Sequence, residues 1–466
     1  MKAKHPIPGV VYHPENVVER YRREGVLKDE NLGQVLAEAA ASHPDNIAVV
    51  GSSVRWTYRE LGELSDRFGA ALLALGLKPL DPVVFQVGNI PEIFPALYGC
   101  FRAGLLPVCT LASHREQEIG FIADLVSAKA HIVQADLKFD LVAFGKKMGD
   151  AVGSLEHLIA VRSADAGGQL TLDGLVANMP LEKARESLSD IEVDPYNVAI
   201  YQLSGGTTGL PKVIPRFHSE YVCNIQSWAD ASEINSDTIS YWPLPAIHNA
   251  AIVCFHTPVH FRGGTVVVDQ DHDPKTFLGT IEREKVTFTG AATPVIVRCV
   301  DSGLIDRYDL SSVRCFLSMR EAALIDEDFG VPGHHIFGMA EGLCMRTVPG
   351  DPETIRHQCI GRPVNTFDEV RVIKPGTDED AEPGEVGEFL ARGPYTIRGY
   401  FSAPDHNAKT FTEEGYYRTG DLLKVHEVDG IKYYSFEGRA KDNIDRGAEK
   451  ISAEEVERYV VMHPSV

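Results

Sequence analysis

Long hydrophobic runs are absent from this sequence. No apolar stretch among its 466 residues approaches the roughly 20 residues that a membrane-spanning helix requires. The first six residues, Met1 to Pro6, are not followed by the apolar segment of a secretory signal peptide. We therefore expect a cytoplasmic protein without a membrane partner.

Basic residues are in the minority. Lys and Arg number 45 against 66 Asp and Glu, which gives a formal net charge of −21 at pH 7. A surface of this sign repels phosphate backbones and anionic lipid headgroups, so nucleic acid and an anionic membrane are not expected partners. The charge does not exclude an acidic protein that docks on a local basic patch.

Clustered cysteines are also missing. The eight cysteines are scattered and form no Cys-x-x-Cys pair. This distribution predicts reduced and mostly buried thiols rather than a disulfide framework or a zinc site. They are Cys100, Cys109, Cys223, Cys254, Cys299, Cys315, Cys344 and Cys359.

The length and the hydrophobic pattern predict an α/β protein with more than one core. A chain of 466 residues exceeds the size of a single domain. Strand-like runs (47–50, 82–87) alternate with amphipathic helical segments (58–75), a pattern typical of largely parallel sheets. Residues 163–169 are interpreted as an exposed connector. From Phe367 onward, short strands separated by turns predict a β-rich subdomain of the distorted-barrel kind.

A loop rich in glycine and threonine follows the buried strand predicted at 198–201. Its glycines allow a close backbone approach to a ligand, and its hydroxyls and lysine are donors suited to phosphate oxygens. It differs from a Walker A loop, in which glycine directly precedes lysine. The plain alternative is a surface turn. The loop reads Ser204-Gly205-Gly206-Thr207-Thr208-Gly209-Leu210-Pro211-Lys212.

Three further motifs follow this loop in order, and together the four resemble the adenylate-forming superfamily. Within it, the sequence is most similar to the stand-alone aryl-acid AMP ligases of siderophore and antibiotic pathways. Pro215-Arg216 after the loop and the opening segment 19–25 also resemble that branch. The similarity extends from about residue 15 to the last residue. The three motifs are Phe337-Gly338-Met339-Ala340-Glu341-Gly342, Tyr417-Arg418-Thr419-Gly420-Asp421 and Gly438-Arg439-Ala440-Lys441-Asp442.

The resemblance implies a large N-terminal adenylation domain over residues 1–437, with subdomains at about 1–190, 191–330 and 331–437. A hinge at 438–441 and the start of a small α+β domain at 442–466 would follow. The large domain would combine parallel-sheet α/β subdomains with a β-rich one. Relatives continue for roughly a hundred residues and carry an adenylation lysine there, so we expect the printed sequence to be part of a longer protein.

The resemblance also implies ATP and Mg²⁺ as cofactors and assigns roles to the motif residues. Ser204 to Lys212 would hold the β- and γ-phosphates, with hydroxyl contacts from Thr207 and Thr208. Glu341 would hold Mg²⁺, the hard cation that bridges phosphate oxygens. The adenosine part of ATP would be bound by Phe337 against adenine, Asp421 on the ribose, Arg439 on ribose or phosphate, and the backbone of Gly338, Met339 and Ala340.

Several of these residues could instead have an ordinary structural role. Glu341 could be a solvated turn residue, Phe337 a core residue, and Asp421 the acceptor of a local Asx turn. Lys441, the hinge residue by resemblance, could be an ordinary surface lysine. Gly447 lies in the segment that relatives use in the thioester step; there, Ala448 replaces the usual second glycine.

The substrate pocket is inferred from residues 243–251, which contain no acidic side chain. Relatives that activate amino acids carry an aspartate in this segment, and an unpaired buried ammonium is costly. The substrate is therefore expected to lack an α-amino group. By resemblance, His248 and Asn249 would contact an aromatic acid, with the Asn249 amide on a hydroxyl ortho to the carboxylate. His248 could instead be a core histidine.

The pocket departs from that of the aryl-acid relatives at three places. Ala250 replaces a tyrosine and leaves space, and Cys254 replaces a serine that bonds a 3-hydroxyl group. Met319, in the altered turn 318–321, would occupy volume that glycines leave empty. These changes favour a salicylate-like acid, with a larger or bicyclic aromatic acid as the alternative. The remaining residues assigned to the substrate are Ile336 and Cys344, and the residues assigned to catalysis are Lys212, Glu341 and His248.

Three functions remain open on the sequence. The favoured one is an aryl-acid AMP ligase that loads the phosphopantetheine thiol of a carrier protein. The second is an aryl- or acyl-CoA ligase of the same fold. The third is a degenerate adenylation domain that serves as a binding module, which the altered turn at 318–321 supports and the intact loop opposes. The sequence leaves the oligomeric state open.

Overall fold

The computed structural model of the chain describes residues 3–163, 169–204, 210–440, 443–446 and 449–452. The strands within these ranges form four sheets. They are β1 Ile47–Val50, β2 Arg55–Thr57, β3 Pro82–Gln86, β4 Leu106–Val108, β5 Ala130–Gln134, β6 His157–Val161, β7 Leu170–Thr171, β8 Val198–Leu203, β9 Val213–Phe217, β10 Ile239–Tyr241, β11 Thr265–Val267, β12 Phe288–Gly290, β13 Cys315–Ser318, β14 Gly333–Gly338, β15 Cys344–Arg346, β16 Arg362–Pro363, β17 Glu369–Ile373, β18 Val386–Arg392, β19 Tyr417–Val428, β20 Ile431–Arg439, β21 Asn443–Arg446 and β22 Glu449–Ser452.

Helices alternate with these strands along most of the chain. Two π-helical turns at Ala251–His256 and Ile325–Phe329 and a 3₁₀ turn at Ile305–Arg307 accompany them. The α-helices are α1 Glu15–Arg23, α2 Leu32–Ser42, α3 Tyr58–Ala74, α4 Ile93–Arg102, α5 Glu116–Leu125, α6 Leu141–Ala151, α7 Leu172–Ala177, α8 Leu181–Ser189, α9 His218–Ala231, α10 Thr257–Phe261, α11 Pro274–Glu284, α12 Thr293–Asp301, α13 Ala322–Leu324, α14 Glu353–Gln358 and α15 Pro404–Thr410.

Helix α3 illustrates how the local sequence determines where a helix begins and which face it buries. Thr57 caps its N-terminus: the Thr57 hydroxyl accepts from the Glu60 backbone N–H at 3.2 Å, and the Glu60 carboxylate accepts from the Thr57 N–H at 2.7 Å. This reciprocal pair satisfies two amide donors that a helix start leaves open. Leu61, Phe68 and Leu72 recur at helical spacing and are buried. The helix predicted at 58–75 is confirmed.

Two large, mostly parallel sheets form the body of the described chain. A seven-stranded sheet has the order β7-β6-β5-β3-β4-β8-β9 and is parallel except between β8 and β9. A nine-stranded sheet has the order β16-β15-β14-β13-β12-β10-β11-β1-β2 and is antiparallel only at its two ends. Parallel sheets require helical crossovers on their faces, which explains the alternation seen in the sequence. The predicted α/β class is confirmed.

The two sheets exchange segments of the chain. Strands β1 and β2, near the N-terminus, belong to the sheet built mainly from residues 239–363, whereas β8 and β9 join the sheet of residues 82–171. The sheets therefore divide the chain differently from the subdomain ranges 1–190, 191–330 and 331–437. Those ranges, and the hinge at 438–441, stay predictions.

The segment after Phe367 forms a curled antiparallel subdomain. Strands β17, β18, β19 and β20 pair in sequence order, and β19 and β20 form a long hairpin whose tip carries Gly430 at φ +76°. Phe389, Leu423 and Tyr434 pack between this sheet and the residues around Phe337. The β-rich subdomain predicted from the change in sequence texture is therefore present.

All eight cysteines are buried and unpaired, as their scattered positions predicted. No helix in the described part of the chain is long and apolar enough to cross a membrane. Of the connector predicted at 163–169, residues 164–168 lie outside the described residues.

Candidate active site

The two ends of the glycine-rich loop are joined at its base. Strand β8 leads into Ser204, whose backbone N–H donates to the Lys212 carbonyl at 3.0 Å. The Ser204 hydroxyl accepts in return from the Lys212 N–H at 3.0 Å. The loop thus leaves and re-enters the sheet edge at one point, before β9. Gly205, Gly206, Thr207, Thr208 and Gly209 lie outside the described residues, as do Lys441 and Gly447.

Glu341 lies beside a pair of tyrosines. It is 7% exposed, and its carboxylate accepts from the Tyr400 hydroxyl at 2.6 Å. The hydroxyls of Tyr400 and Tyr417 are 3.0 Å apart, and the Lys212 ammonium lies 5.7 Å from the centre of the Tyr400 ring. Burial, reinforced by the Glu341 carboxylate, raises the pKa of both phenols well above the usual range. Tyr400 therefore stays a hydrogen-bond donor at neutral pH.

Asp421 and Arg439 face each other across the β19–β20 hairpin. They are directly paired in the strand register, and Arg439 Nε lies 3.2 Å from Asp421 Oδ1. The Asp421 side chain is 9% exposed, while that of Arg439 is 46% exposed. The Asp421 backbone N–H bonds the Thr419 hydroxyl at 3.0 Å. A buried carboxylate held next to an accessible guanidinium is suited to bind a vicinal diol or an anion.

One cavity of about 370 Å³ gathers every residue that the sequence assigned to the substrate. It lies between the first turn of the 249–256 segment, the ends of β12 and β13, and strand β14. None of the described residues that line it carries a full charge. They are Trp242, Leu244, Pro245, His248, Asn249, Ala250, Cys254, Ala291, Ala292, Met319, Ile336, Phe337, Gly338, Met339, Ala340 and Cys344.

His248 stands at the junction of this cavity with a second one. The second cavity, of about 360 Å³, is lined by Ser204, Leu210 and Pro211 at the ends of the glycine-rich loop and also by His248. The His248 Nδ1 accepts from the Ala250 backbone N–H at 3.2 Å, which fixes the ring. The cavity walls desolvate the imidazole and lower its pKa, so the ring is neutral at pH 7 although it lies open to the cavity.

The floor of the cavity contains two thiols, Cys254 and Cys344, both almost completely buried. Burial raises the pKa of the Cys254 thiol, and the Cys344 thiol donates to the Gly342 carbonyl at 3.7 Å. Asn224 Nδ2 also donates to Cys344 Sγ at 3.8 Å. The Cys254 thiol therefore keeps its proton, and a thiol is a weak hydrogen-bond partner for a substrate hydroxyl.

Phe337 and Met319 border the cavity in different ways. Phe337 is 8% exposed and its ring packs against Phe389 and Phe436, each with its centre 6.0 Å away. Most of the Phe337 ring is therefore core, and its remaining surface faces the cavity. Met319 lies at the rim, where it is 57% exposed. It narrows the entrance rather than filling the interior.

Three residues with evident roles in this geometry were not assigned from the sequence. Tyr400 holds Glu341, while Arg216 and Tyr221 both hold the Asn249 side chain. Tyr400 and Tyr221 lie outside the four motifs, and Arg216 contributes to the family resemblance without a role of its own. For Arg216 the sequence carries one signal, because this arginine lies within the otherwise apolar strand β9. Its guanidinium is fully buried, and a buried guanidinium requires several hydrogen-bond acceptors around it.

Comparison with known proteins identifies the family. Residues 36–401 match the family model described as AMP-binding enzyme. Since this match covers more than half of the sequence, the chain belongs to the family of AMP-binding enzymes and is an adenylate-forming enzyme. The resemblance drawn from the four motifs is confirmed.

Individual relatives agree with this assignment. The chain is 37% identical to 2,3-dihydroxybenzoate-AMP ligase of Bacillus subtilis, over 99% of its length and 84% of the relative's. It is 36% identical to a salicylyl-CoA synthase / salicylate adenylyltransferase of a Streptomyces species, over 98% and 84%. Among solved structures, Mycobacterium smegmatis MbtA superimposes with a TM-score of 0.85 at 32% identity, covering 98% of this chain and 85% of that one.

We expect Asp421→Asn to weaken nucleotide binding. If the Asp421 carboxylate accepts bonds from ribose hydroxyls, its loss removes charge-assisted hydrogen bonds and raises the dissociation constant for ATP roughly 10-fold. Titration calorimetry with ATP measures this constant. Glu427→Gln, at an exposed position of the same strand, is the matched control and leaves it unchanged. Equal affinities in both variants would remove Asp421 from the nucleotide site.

Proposed function

We propose that the protein activates an aromatic carboxylic acid with ATP, giving an aryl-AMP and pyrophosphate, and then transfers the aryl group to the phosphopantetheine thiol of a carrier protein. The observation that carries this proposal is the uncharged cavity at His248 and Asn249 next to the ends of the glycine-rich loop. This arrangement supports an acid-binding pocket beside the predicted phosphate site.

The lining of the cavity restricts the substrate class. An amino acid would bring an ammonium group into a space where no described residue offers a carboxylate, and a buried unpaired charge is strongly unfavourable. Ring faces and apolar side chains dominate the lining, which includes Trp242, whose ring stacks on that of Phe255 with the ring centres 4.1 Å apart. This surface supports an aromatic ring. Ala250 leaves space that accommodates a ring larger than salicylate.

The junction at His248 supports the reaction. An acid in the pocket would direct its carboxylate toward the cavity at Ser204 and Pro211, where the α-phosphate of ATP would lie. The carboxylate oxygen forms a bond to this phosphorus while the bond to the bridging oxygen of pyrophosphate breaks. A neutral His248 would not pair with the carboxylate as a cation would, so the carboxylate stays nucleophilic while the ring can orient it through a hydrogen bond. Lys212, at the loop end, would neutralise the departing pyrophosphate.

Glu341 fits a magnesium ligand. Its buried carboxylate is a hard oxygen donor, and Tyr400 holds one of its oxygens at 2.6 Å. The described residues contain no cluster of three or more His, Cys, Asp or Glu, so Glu341 would share the ion with phosphate oxygens and water. Bound Mg²⁺ would supply neutralisation of phosphate charge.

The nucleotide would extend from the loop to the β19–β20 hairpin. Asp421 would accept the ribose hydroxyls and Arg439 would contact ribose or phosphate. Phe337, with the backbone from Gly338 to Ala340, would border adenine. Lys441 as hinge and Gly447 in the thioester step are carried by the resemblance alone.

The proposal also names the thiol that accepts the aryl group, the pathway and the cell compartment. The relatives include an AMP ligase and a CoA synthase by name, so CoA is the alternative acceptor. Relative rates of aryl transfer to CoA and to a phosphopantetheinylated carrier protein decide between them. We place the activity in siderophore or antibiotic biosynthesis in the cytoplasm, where eight buried free thiols stay reduced.

Acid-dependent exchange of pyrophosphate into ATP tests the proposal. We expect exchange with salicylate and with bicyclic hydroxy acids, weaker exchange with 2,3-dihydroxybenzoate, and none with a fatty acid or an amino acid. Cys254→Ser should raise the preference for 2,3-dihydroxybenzoate over salicylate roughly 10-fold, since serine can bond the 3-hydroxyl. Cys299→Ser, buried outside the cavity, is the control. Exchange confined to the fatty or amino acid would contradict the pocket assignment.

A further inference from the structure

A buried arginine lies directly behind the acid pocket. Arg216, on strand β9, has a completely buried side chain. It forms an ion pair with Glu220 on helix α9, at 2.8 Å through Nε and 3.3 Å through Nη2. Its other bonds go to the Ala340 carbonyl at 2.9 Å, Asn224 Oδ1 at 3.2 Å, the Tyr395 carbonyl at 3.3 Å and Asn249 Oδ1 at 3.4 Å. So many acceptors fix the guanidinium in one place.

Two donors set the orientation of the Asn249 amide. A guanidinium can only donate, so the Asn249 atom that faces Arg216 must be the oxygen. The Tyr221 hydroxyl donates to the same oxygen at 2.8 Å while accepting from Gln202 Nε2 at 3.2 Å. Burial raises the pKa of Tyr221 well above its usual range, so this hydroxyl keeps its proton. Both contacts hold Oδ1 away from the substrate side.

The nitrogen of the same amide is left for the ligand. Asn249 is 5% exposed and lines the acid cavity. Its Nδ2 forms no hydrogen bond with any of the residues that the structure describes, whereas Oδ1 forms two. The pocket therefore presents an N–H donor of fixed direction at this point. We propose that Arg216 is a positioning residue that fixes the polarity of Asn249, so that the pocket selects acids with an acceptor, rather than a donor, ortho to the carboxylate.

The chemistry of the ortho group follows from this polarity. A phenol or phenolate oxygen accepts a hydrogen bond from Nδ2. An aniline nitrogen is a poor acceptor because its lone pair is delocalised into the ring, and its own N–H groups would oppose those of Asn249. A site built for one hydrogen-bond pattern rejects an analogue that cannot match it. The inference rests on the proposed function, because it requires Asn249 to contact the acid.

Competing pyrophosphate exchange with salicylate and anthranilate tests this inference. The two acids differ in one ortho group, and the ratio of their kcat/KM values is independent of the fraction of protein that is folded. We expect a salicylate-to-anthranilate ratio of about 10 to 100 in the unaltered protein, with benzoate between the two or equal to anthranilate. A ratio near one would overturn the inference while leaving the proposed function standing.

Two variants test whether the selection between the acids depends on the Asn249 amide and on Arg216. Asn249→Asp leaves one oxygen for Arg216 and Tyr221 and turns a second oxygen toward the ligand, so the ratio should shift toward anthranilate at least about 10-fold. The double variant Arg216→Met, Glu220→Gln removes both buried charges together and frees the amide from Arg216, which lowers the ratio. Arg216 also holds the Ala340 carbonyl near the nucleotide, but both acids react at the same nucleotide site, so a change in ATP binding cancels in the ratio. An unchanged ratio in this variant would remove Arg216 from the positioning role. An unchanged ratio in Asn249→Asp would overturn the inference. Exchange with no acid at all would overturn the proposed function, and this inference with it.

Discussion

Glu341→Gln lowers the rate of aryl-AMP formation about 100- to 1,000-fold, the loss typical of removing one electrostatic contact to the charge that develops during transfer. The substitution keeps the shape of the side chain and its bond with Tyr400, so the fold around it is retained. It removes the negative charge that would hold the cation against the phosphates. Single-turnover formation of aryl-AMP at saturating ATP and acid measures the effect.

Tyr400→Phe is the matched control for Glu341. It deletes the hydroxyl that lies 2.6 Å from the carboxylate but leaves the charge in place. We expect a much smaller loss, about 3- to 10-fold, because only the orientation of Glu341 is relaxed. Raising the magnesium concentration should recover part of this loss. Comparable rates for Glu341→Gln and the unaltered protein would show that the carboxylate does not serve the reaction.

Gly342→Ala should destabilise the protein by about 3 kcal/mol or more and abolish adenylation. Gly342 has φ +143°, a conformation that alanine rarely adopts. An added Cβ would overlap the Tyr395 carbonyl oxygen and lie 2.7 Å from the Cα atom of Thr396. These are backbone atoms and cannot rotate away. The strain would displace the neighbouring Glu341, whose carbonyl accepts from the Ile397 N–H at 2.9 Å.

Gly350→Ala is the matched control for Gly342→Ala, because it separates the cost of a positive φ from the cost of steric overlap. Gly350 also has positive φ, at +104°, but an added Cβ would meet no atom within 4 Å. It should cost about 1 kcal/mol and leave activity intact. Urea denaturation followed by circular dichroism, with exchange measured on the same samples, compares the two variants. Equal stabilities would mean that the close approach at Tyr395 does not constrain Gly342.

Much of the fold could be predicted because its signals are local. The β1 and β3 strands and helix α3 each carry an apolar pattern of the matching period, and the structure places them within one or two residues of the expected bounds. The exchange of strands between the sheets could not be predicted. Pairing of β1 with β11 joins Val49 to Val266, and no local pattern specifies a contact over that separation.

The candidate site, like the fold, has a part that local sequence predicts and a part that depends on tertiary packing. The residues assigned to the acid, from His248 to Cys344, were identified because contiguous motifs carry them, and the structure brings all seven to one cavity. The side chains that hold those residues come from other elements. Arg216 on β9, Tyr221 on α9 and Tyr400 before α15 reach the site only through tertiary packing. The placement of Cys254 and Cys344 in one cavity likewise depends on two distant segments.

A structure of the protein with a non-hydrolysable salicyl-adenylate analogue would show whether this cavity binds the aryl acid. We expect the ring in the cavity between Trp242 and Ile336, the ortho oxygen within hydrogen-bond distance of Asn249 Nδ2, and the ribose on Asp421. The phosphate mimic should lie between His248 and the loop end at Lys212. An analogue bound with its ring outside this cavity, or with its ribose away from the β19–β20 hairpin, would show that the acid and the nucleotide bind elsewhere.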